Sequence, residues 1–116
     1  MPHRNKILIM ENDEFLREII GNLLHKKGGY ILNASNIEQG LNETSGKSIT
    51  TVILGTSCSE FKGKESINYI KKKLGNQNTQ FFIINHLNKE IPGIPQERQM
   101  KIENLSIQKI LNVIEI

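Results

Sequence analysis

The chain has 116 residues, 37% hydrophobic and 23% charged, which suits one packed domain over residues 1–116 and excludes wholesale disorder. A single cysteine, Cys58, excludes a disulfide scaffold, and no apolar run approaches the roughly 18 residues a transmembrane helix needs. Net charge is +3, and the excess lies in residues 59–116, with nine Lys/Arg against six Asp/Glu, where residues 1–58 hold six of each. That imbalance is a weak signal for nucleic acid or an acidic partner.

The first segment, Met1-Pro-His-Arg-Asn-Lys6, runs straight into Ile-Leu-Ile-Met10 without a signal-peptide core or cleavage site, so a reducing, cytoplasmic setting is expected. Lys6–Met10 has strand length. Phe15, Leu16, Ile19, Ile20, Leu23 and Leu24 then recur at helical spacing. Lys26-Lys27 before Gly28-Gly29 puts cations in the last turn and a glycine at the left-handed position beyond it. Tyr30–Leu32 reads as a second strand. Ser35-Asn-Ile-Glu38 has capping-box form and opens a short helix to about Asn42.

Thr50–Leu54 is a continuous β-branched run, as expected of a strand buried on both faces. A loop from Gly55 to Gly63 precedes a helix carrying Ile67, Ile70 and Leu74 and ending in Lys71-Lys72-Lys73 and Gly75. Gln80–Ile84 is the fourth strand, with Phe81 and Phe82 on opposite faces. Pro92, Gly93 and Pro95 argue against a long helix over residues 86–98. Gln99–Ile102 is the expected fifth strand, and Ser106 caps a final helix with Ile107, Ile110, Leu111 and Ile114. Strands alternating with helices imply a parallel sheet covered on both faces.

Lys6-Ile-Leu-Ile-Met-Glu-Asn-Asp-Glu-Phe-Leu-Arg17 resembles the opening of receiver domains of two-component response regulators. Gly63 after the third strand and Leu105–Ile110 before the last helix extend the likeness over nearly the whole chain. The resemblance implies an α/β, flavodoxin-like (CheY-like) three-layer fold. Its five-stranded parallel sheet would have the order 2-1-3-4-5, with a site at the C-terminal strand ends. The family's fourth helix is expected to be truncated or replaced by a loop.

The resemblance also implies five functional positions. The acidic pair falls on Glu11 and Asn12, with Asp13 one place out of register. Counting back from Gly63 places the phosphoacceptor on Gly55, which has no side chain. The switch hydroxyl falls on Asn85. The lysine falls on Glu103 with strand five at Gln99–Ile102, or on Gln96 with an earlier strand. Mg²⁺ takes oxygen ligands and usually one or two carboxylates, so a site with Glu11 alone is not expected to hold it. Glu11 and Asp13 remain weak metal candidates beside the plainer reading of acids near a helix start. No cofactor and no enzymatic activity are expected.

Other residues favour ordinary roles. Thr56, Ser57 and Ser59 are usual in turns, Cys58 reads as a small half-buried side chain, and His86 as a solvated loop histidine. His3 and His25 lack ligand spacing. The three lysines complement a helix dipole, and nothing offers a stacking platform for single-stranded nucleic acid. The expected function is phosphorylation-independent protein–protein contact in signalling, with a histidine kinase, regulator or output protein as partner, or with a second copy. The expected partner face joins His86, Ile91 and Ile94 of the 86–98 loop to Ile107 of the last helix. An attached output domain, and DNA binding through one, are not expected of residues 1–116. A small anion or nucleotide in the space freed at Gly55, and nucleic acid on the basic half, are the alternatives.

Overall fold

A computed structural model describes residues 5–44, 47–76 and 78–114; His3 and the side chain of Ile114 lie outside the described residues. The strands are β1 (Lys6–Met10), β2 (Tyr30–Ala34), β3 (Thr51–Gly55), β4 (Gln80–Asn85) and β5 (Gln99–Lys101). The helices are α1 (Glu14–Lys26), α2 (Ile37–Glu43), α3 (Lys64–Leu74) and α4 (Ile107–Ile114). All strand pairs are parallel, in the order β2-β1-β3-β4-β5. This is the expected flavodoxin-like arrangement, with β1 and β3 adjacent and the chain reversing direction across the sheet between them.

Period-two alternation in the central strands sends side chains to both faces, and two separate cores result. Leu8, Val52, Leu54, Phe81 and Ile83 meet α2 and α3 through Ile37 and Ile70. Ile7, Ile9, Ile53, Phe82 and Ile84 meet α1 and α4 through Ile20, Leu24 and Ile110. Each fully buried isoleucine or leucine stabilises the fold by about 1.5–3 kcal/mol before the entropy of ordering it is subtracted. Phe81 and Phe82 therefore do face opposite ways. α1 departs from a simple stripe: Phe15 is 74% exposed and Ile19 38% exposed at its outer edge.

Three local expectations are corrected. Asn36, not Ser35, caps α2, its side chain accepting the Gln39 N–H at 2.8 Å, while Gln39 Oε1 accepts the Ser35 N–H at 3.0 Å. The strand β5 ends at Lys101, one residue short of the expected Ile102. Ile102–Asn104 then forms a 3-10 turn. Finally, Ile91 and Ile94 are buried, 5% and 8% exposed.

Those two isoleucines explain the segment between β4 and β5. It holds only a 3-10 turn, Gln96–Arg98, where the receiver likeness implies a helix. Pro92 and Pro95 remove two N–H donors, and Gly93 takes a left-handed φ of 81°. Gln99 fastens the irregular chain. Its Oε1 accepts the Ile91 N–H at 2.9 Å, and its Nε2 donates to the carbonyls of Ile91 (3.1 Å) and Ile94 (2.9 Å). Ile91 and Ile94 thereby reach the α3-side core and do the covering a helix would do. Among the described residues no helix is long and apolar enough to cross a membrane.

Candidate functional site at the strand ends

The C-terminal ends of β1, β3 and β4 bring Glu11, Gly55 and His86 together. Glu11 follows β1 directly and is fully buried. A buried carboxylate is costly unless its lone pairs are filled. Here Oε2 accepts the Asp13 N–H at 2.7 Å and the Ser57 hydroxyl at 2.5 Å, and Oε1 lies 2.8 Å from His86 Nε2. A carboxylate only accepts, which places the shared proton on the imidazole nitrogen. The Arg17 guanidinium donates from Nη1 to the Glu11 carbonyl at 2.7 Å, tying α1 back to the end of β1.

Gly55 is what makes room for this carboxylate. A Cβ at position 55 would come within 2.8 Å of Glu11 Cδ, closer still to its Oε1, and 3.1 Å from Ser57 Oγ. The Glu11 head therefore occupies the volume that a side chain at position 55 would enter. A carboxylate sits at the end of β3, but β1 supplies it. The space once expected to admit an anion or nucleotide is filled, and by an anion. That expectation is corrected.

His86 was expected as a solvated loop residue and as part of a partner face. It is only 24% exposed by side chain and turns inward to Glu11. Its own N–H donates to Thr56 Oγ1 at 2.9 Å, and the Thr56 N–H donates to the Ile84 carbonyl at 3.0 Å, so the β3–α3 loop holds it in place. The remaining expected positions are dispersed. Asn12 is exposed and donates its N–H to Ser57 Oγ at 3.1 Å. Asp13 caps α1 by accepting the Leu16 N–H at 3.0 Å. Asn85 is buried but points to the loop, donating from Nδ2 to the Lys89 carbonyl at 2.9 Å and accepting the Leu87 N–H at 2.8 Å.

Glu103 is exposed on the 3-10 turn beyond β5. Its assignment depended on a strand through Ile102. The residue that ends β5 is the cation Lys101, paired in register with Asn85. The expected partner face also breaks up: Ile91 and Ile94 belong to the core on the α3 side, whereas Ile107 packs against the opposite one. Four residues split between the two sides of a sheet and its interior do not make one surface.

Cys58 is more buried than expected, at 2% exposure. Its Sγ lies 3.4 Å from the Met10 carbonyl, and burial pushes the thiol up to about 12, helped by the negative charges of Glu11 and Glu60. It remains a thiol at neutral pH, so a redox-sensing role does not suit it.

The donor set does not fit Mg²⁺. Among the described residues the one carboxylate at the centre has both oxygens engaged by protein donors and no exposed surface, and Asp13 spends an oxygen on a helix cap. No group of three or more His, Cys, Asp or Glu suited to a metal ion occurs among the described residues.

Fold and strand order together define a class: the chain has the response-regulator receiver fold. A signal receiver domain of an HD domain-containing protein from Pseudomonas fluorescens Pf-5 superposes with a TM-score of 0.77 at 15% identity, over 96% of this chain and 91% of that one. A response regulator receiver domain protein from Clostridium thermocellum gives 0.73 at 22% identity, over 95% and 90%. A response regulator from Burkholderia pseudomallei, crystallised with a phosphorylated aspartic acid, calcium and citrate, gives 0.77 at 11% identity. The match covers 96% of this chain and 66% of the Burkholderia protein, so this chain spans about two thirds of it. No family model and no curated protein matches the sequence.

Sequence reasoning missed Ser57 and Gln99 as organising residues and misplaced His86. One signal was available: a lone acid at the end of a buried strand needs a donor, and His86 is the nearest cation-capable residue following β4. Gln99 carried none.

Proposed function

We propose that this chain is a degenerate receiver that acts in two-component-type signalling through protein–protein contact, without being phosphorylated. The receiver fold supports the signalling class, and one observation supports the rest. The Glu11 carboxylate fills the space of the missing side chain at position 55, with every approach to it taken by Asp13, Ser57 and His86. Phosphoryl transfer is catalysed by positioning and by neutralising developing charge. A buried carboxylate with satisfied oxygens offers neither a free nucleophile nor a metal ligand. The partner class is a histidine kinase, a regulator or an output protein.

The test is a titration of amide resonances with millimolar Mg²⁺, then beryllofluoride, then an acyl phosphate. Glu11, Asn12, Gly55 and Asn85 are expected not to move, and the mass of the chain not to rise. Saturable shifts around Gly55, or a gain of one phosphoryl group, would overturn the reading.

A further inference from the structure

We propose that the groove between α3 and the 91–98 segment docks an acidic peptide segment of a partner protein. The proposal rests on the contact reading above and gives that contact a surface. The groove exists because no helix fills the interval between β4 and β5. Its volume is about 350 Å³, with Lys64, Lys71 and Arg98 on its walls and Ile67, Phe81 and Ile94 beneath them. Among the described residues, no Asp or Glu lines it. Lys64 and Lys71, with no facing acid among the described residues and an apolar floor between them, complement a short segment with carboxylates flanking an aliphatic side chain.

Two of the cations are placed by specific contacts. Lys71 Nζ stands 5.8 Å from the centroid of the Phe81 ring, which holds the ammonium over the floor. The Lys64 stem lies across Gly93, where a Cβ would come within 3.2 Å of its Cδ. The lysine run at the end of α3 is accounted for by the helix dipole, but Lys64 is not. It is the first residue of α3, where a cation opposes the helix dipole. Helix stability therefore gives no reason for a lysine there, whereas a ligand carboxylate does.

Nucleic acid suits the groove less well. Strand binding uses a long basic track with exposed rings for stacking. The one aromatic ring here, Phe81, is 7% exposed and lies under Lys71. A volume of about 350 Å³ accommodates a few side chains, not a duplex edge.

The experiment uses the full chain and three probes: a capped octapeptide of six glutamates and two leucines, its lysine counterpart, and an oligothymidylate. The glutamate peptide is expected to give saturable amide shifts at Lys64, Ile67, Lys71 and Gly93, weakening with added salt. Lys64→Glu is expected to weaken it at least tenfold. That variant also gains a favourable charge at the start of α3, so its loss of binding is not a loss of folding. Absence of saturable shifts, equal response to the lysine peptide, tighter binding of oligothymidylate, or shifts centred on Lys26 and Lys27 would each overturn the proposal. Beryllofluoride added to the same sample separates the two readings. A response at Gly55 defeats the phosphorylation-independent function, whereas silence at both places defeats the groove alone.

Discussion

Gly55→Ala tests the arrangement around Glu11 most directly. The new methyl group would stand within 2.8 Å of Glu11 Cδ, so the carboxylate has to swing away. In doing so it loses the Asp13 N–H, the Ser57 hydroxyl and His86. A hydrogen bond to a charged group is worth about 1.5–3 kcal/mol, and breaking a buried charge pair costs about 3–5 kcal/mol. These contributions overlap. Replacing a strand glycine by alanine returns about 0.5–1 kcal/mol, leaving a net cost of about 3 kcal/mol. A domain of this size is typically stable by about 5–15 kcal/mol, so the variant still folds. In a Glu11→Ala background the same methyl displaces nothing, and the cost is expected to fall below about 0.5 kcal/mol. The double-mutant cycle, read by urea unfolding with far-UV circular dichroism, therefore predicts a coupling of about 2.5 kcal/mol. Additivity to within about 0.5 kcal/mol would refute the claim that Glu11 occupies the space of side chain 55.

Gln99→Leu removes the fastening of the 91–94 segment and leaves the Ile91 N–H and two carbonyls without that partner; stability should fall by about 2–4 kcal/mol. The Ile91 amide should lose hydrogen-exchange protection, and unchanged protection would contradict the role given to Gln99. Cys58, with its thiol raised from 9.0 to about 12, should react with Ellman's reagent at pH 8 about a thousandfold more slowly in the native than in the unfolded chain. The same shift means the folded state keeps this proton longer than the unfolded state does. Stability is then intact below pH 9 and lost as pH rises toward 12, by up to about 1.4 kcal/mol per pH unit, and Cys58→Ala should abolish that slope. Gln80 Oε1 is buried without a hydrogen-bond partner, so Gln80→Met should raise stability by about 1 kcal/mol in the same urea assay; a decrease would mean the amide is satisfied in solution.

The parts of the molecule that periodicity governs were legible in the sequence. The β-branched run at 50–54 and the apolar run at 80–84 became central strands, Ile67, Ile70 and Leu74 became the inner side of α3, and Pro92, Gly93 and Pro95 did exclude a helix. What escaped was set by contacts distant in sequence. Ile91 and Ile94 sit in a segment whose prolines and glycine look like those of an exposed loop. Only Gln99 folding back on that segment converts it into a core-covering element. The strand on which the Glu103 assignment rested differs by a single residue of length, the least determinate feature of a short edge strand. The receiver likeness put Glu11 and Gly55 at one site and His86 on a partner face, but nothing local says that the Glu11 side chain reaches over the end of β3 to His86.

That last relation changes what the unusual residues mean. Taken separately, Gly55 is a strand end without a side chain, Glu11 is a buried acid, and His86 is a residue of the loop after β4. Taken together they are mutually dependent. The longer side chain of Glu11 reaches over β3, Gly55 alone leaves the volume for it, and Ser57, His86 and the Asp13 N–H make its burial tolerable. Placing an aspartate at 55 without changing Glu11 would put two carboxylates in one space beside one imidazole. Like charges that close cannot both ionise. Gly55→Asp alone is therefore expected to destabilise the fold by more than Gly55→Ala and not to allow acyl-phosphate labelling, whereas adding Glu11→Asp to it should recover stability. If Gly55→Asp alone proved as stable as the parent chain, the three residues would be independent substitutions, not one compensated unit.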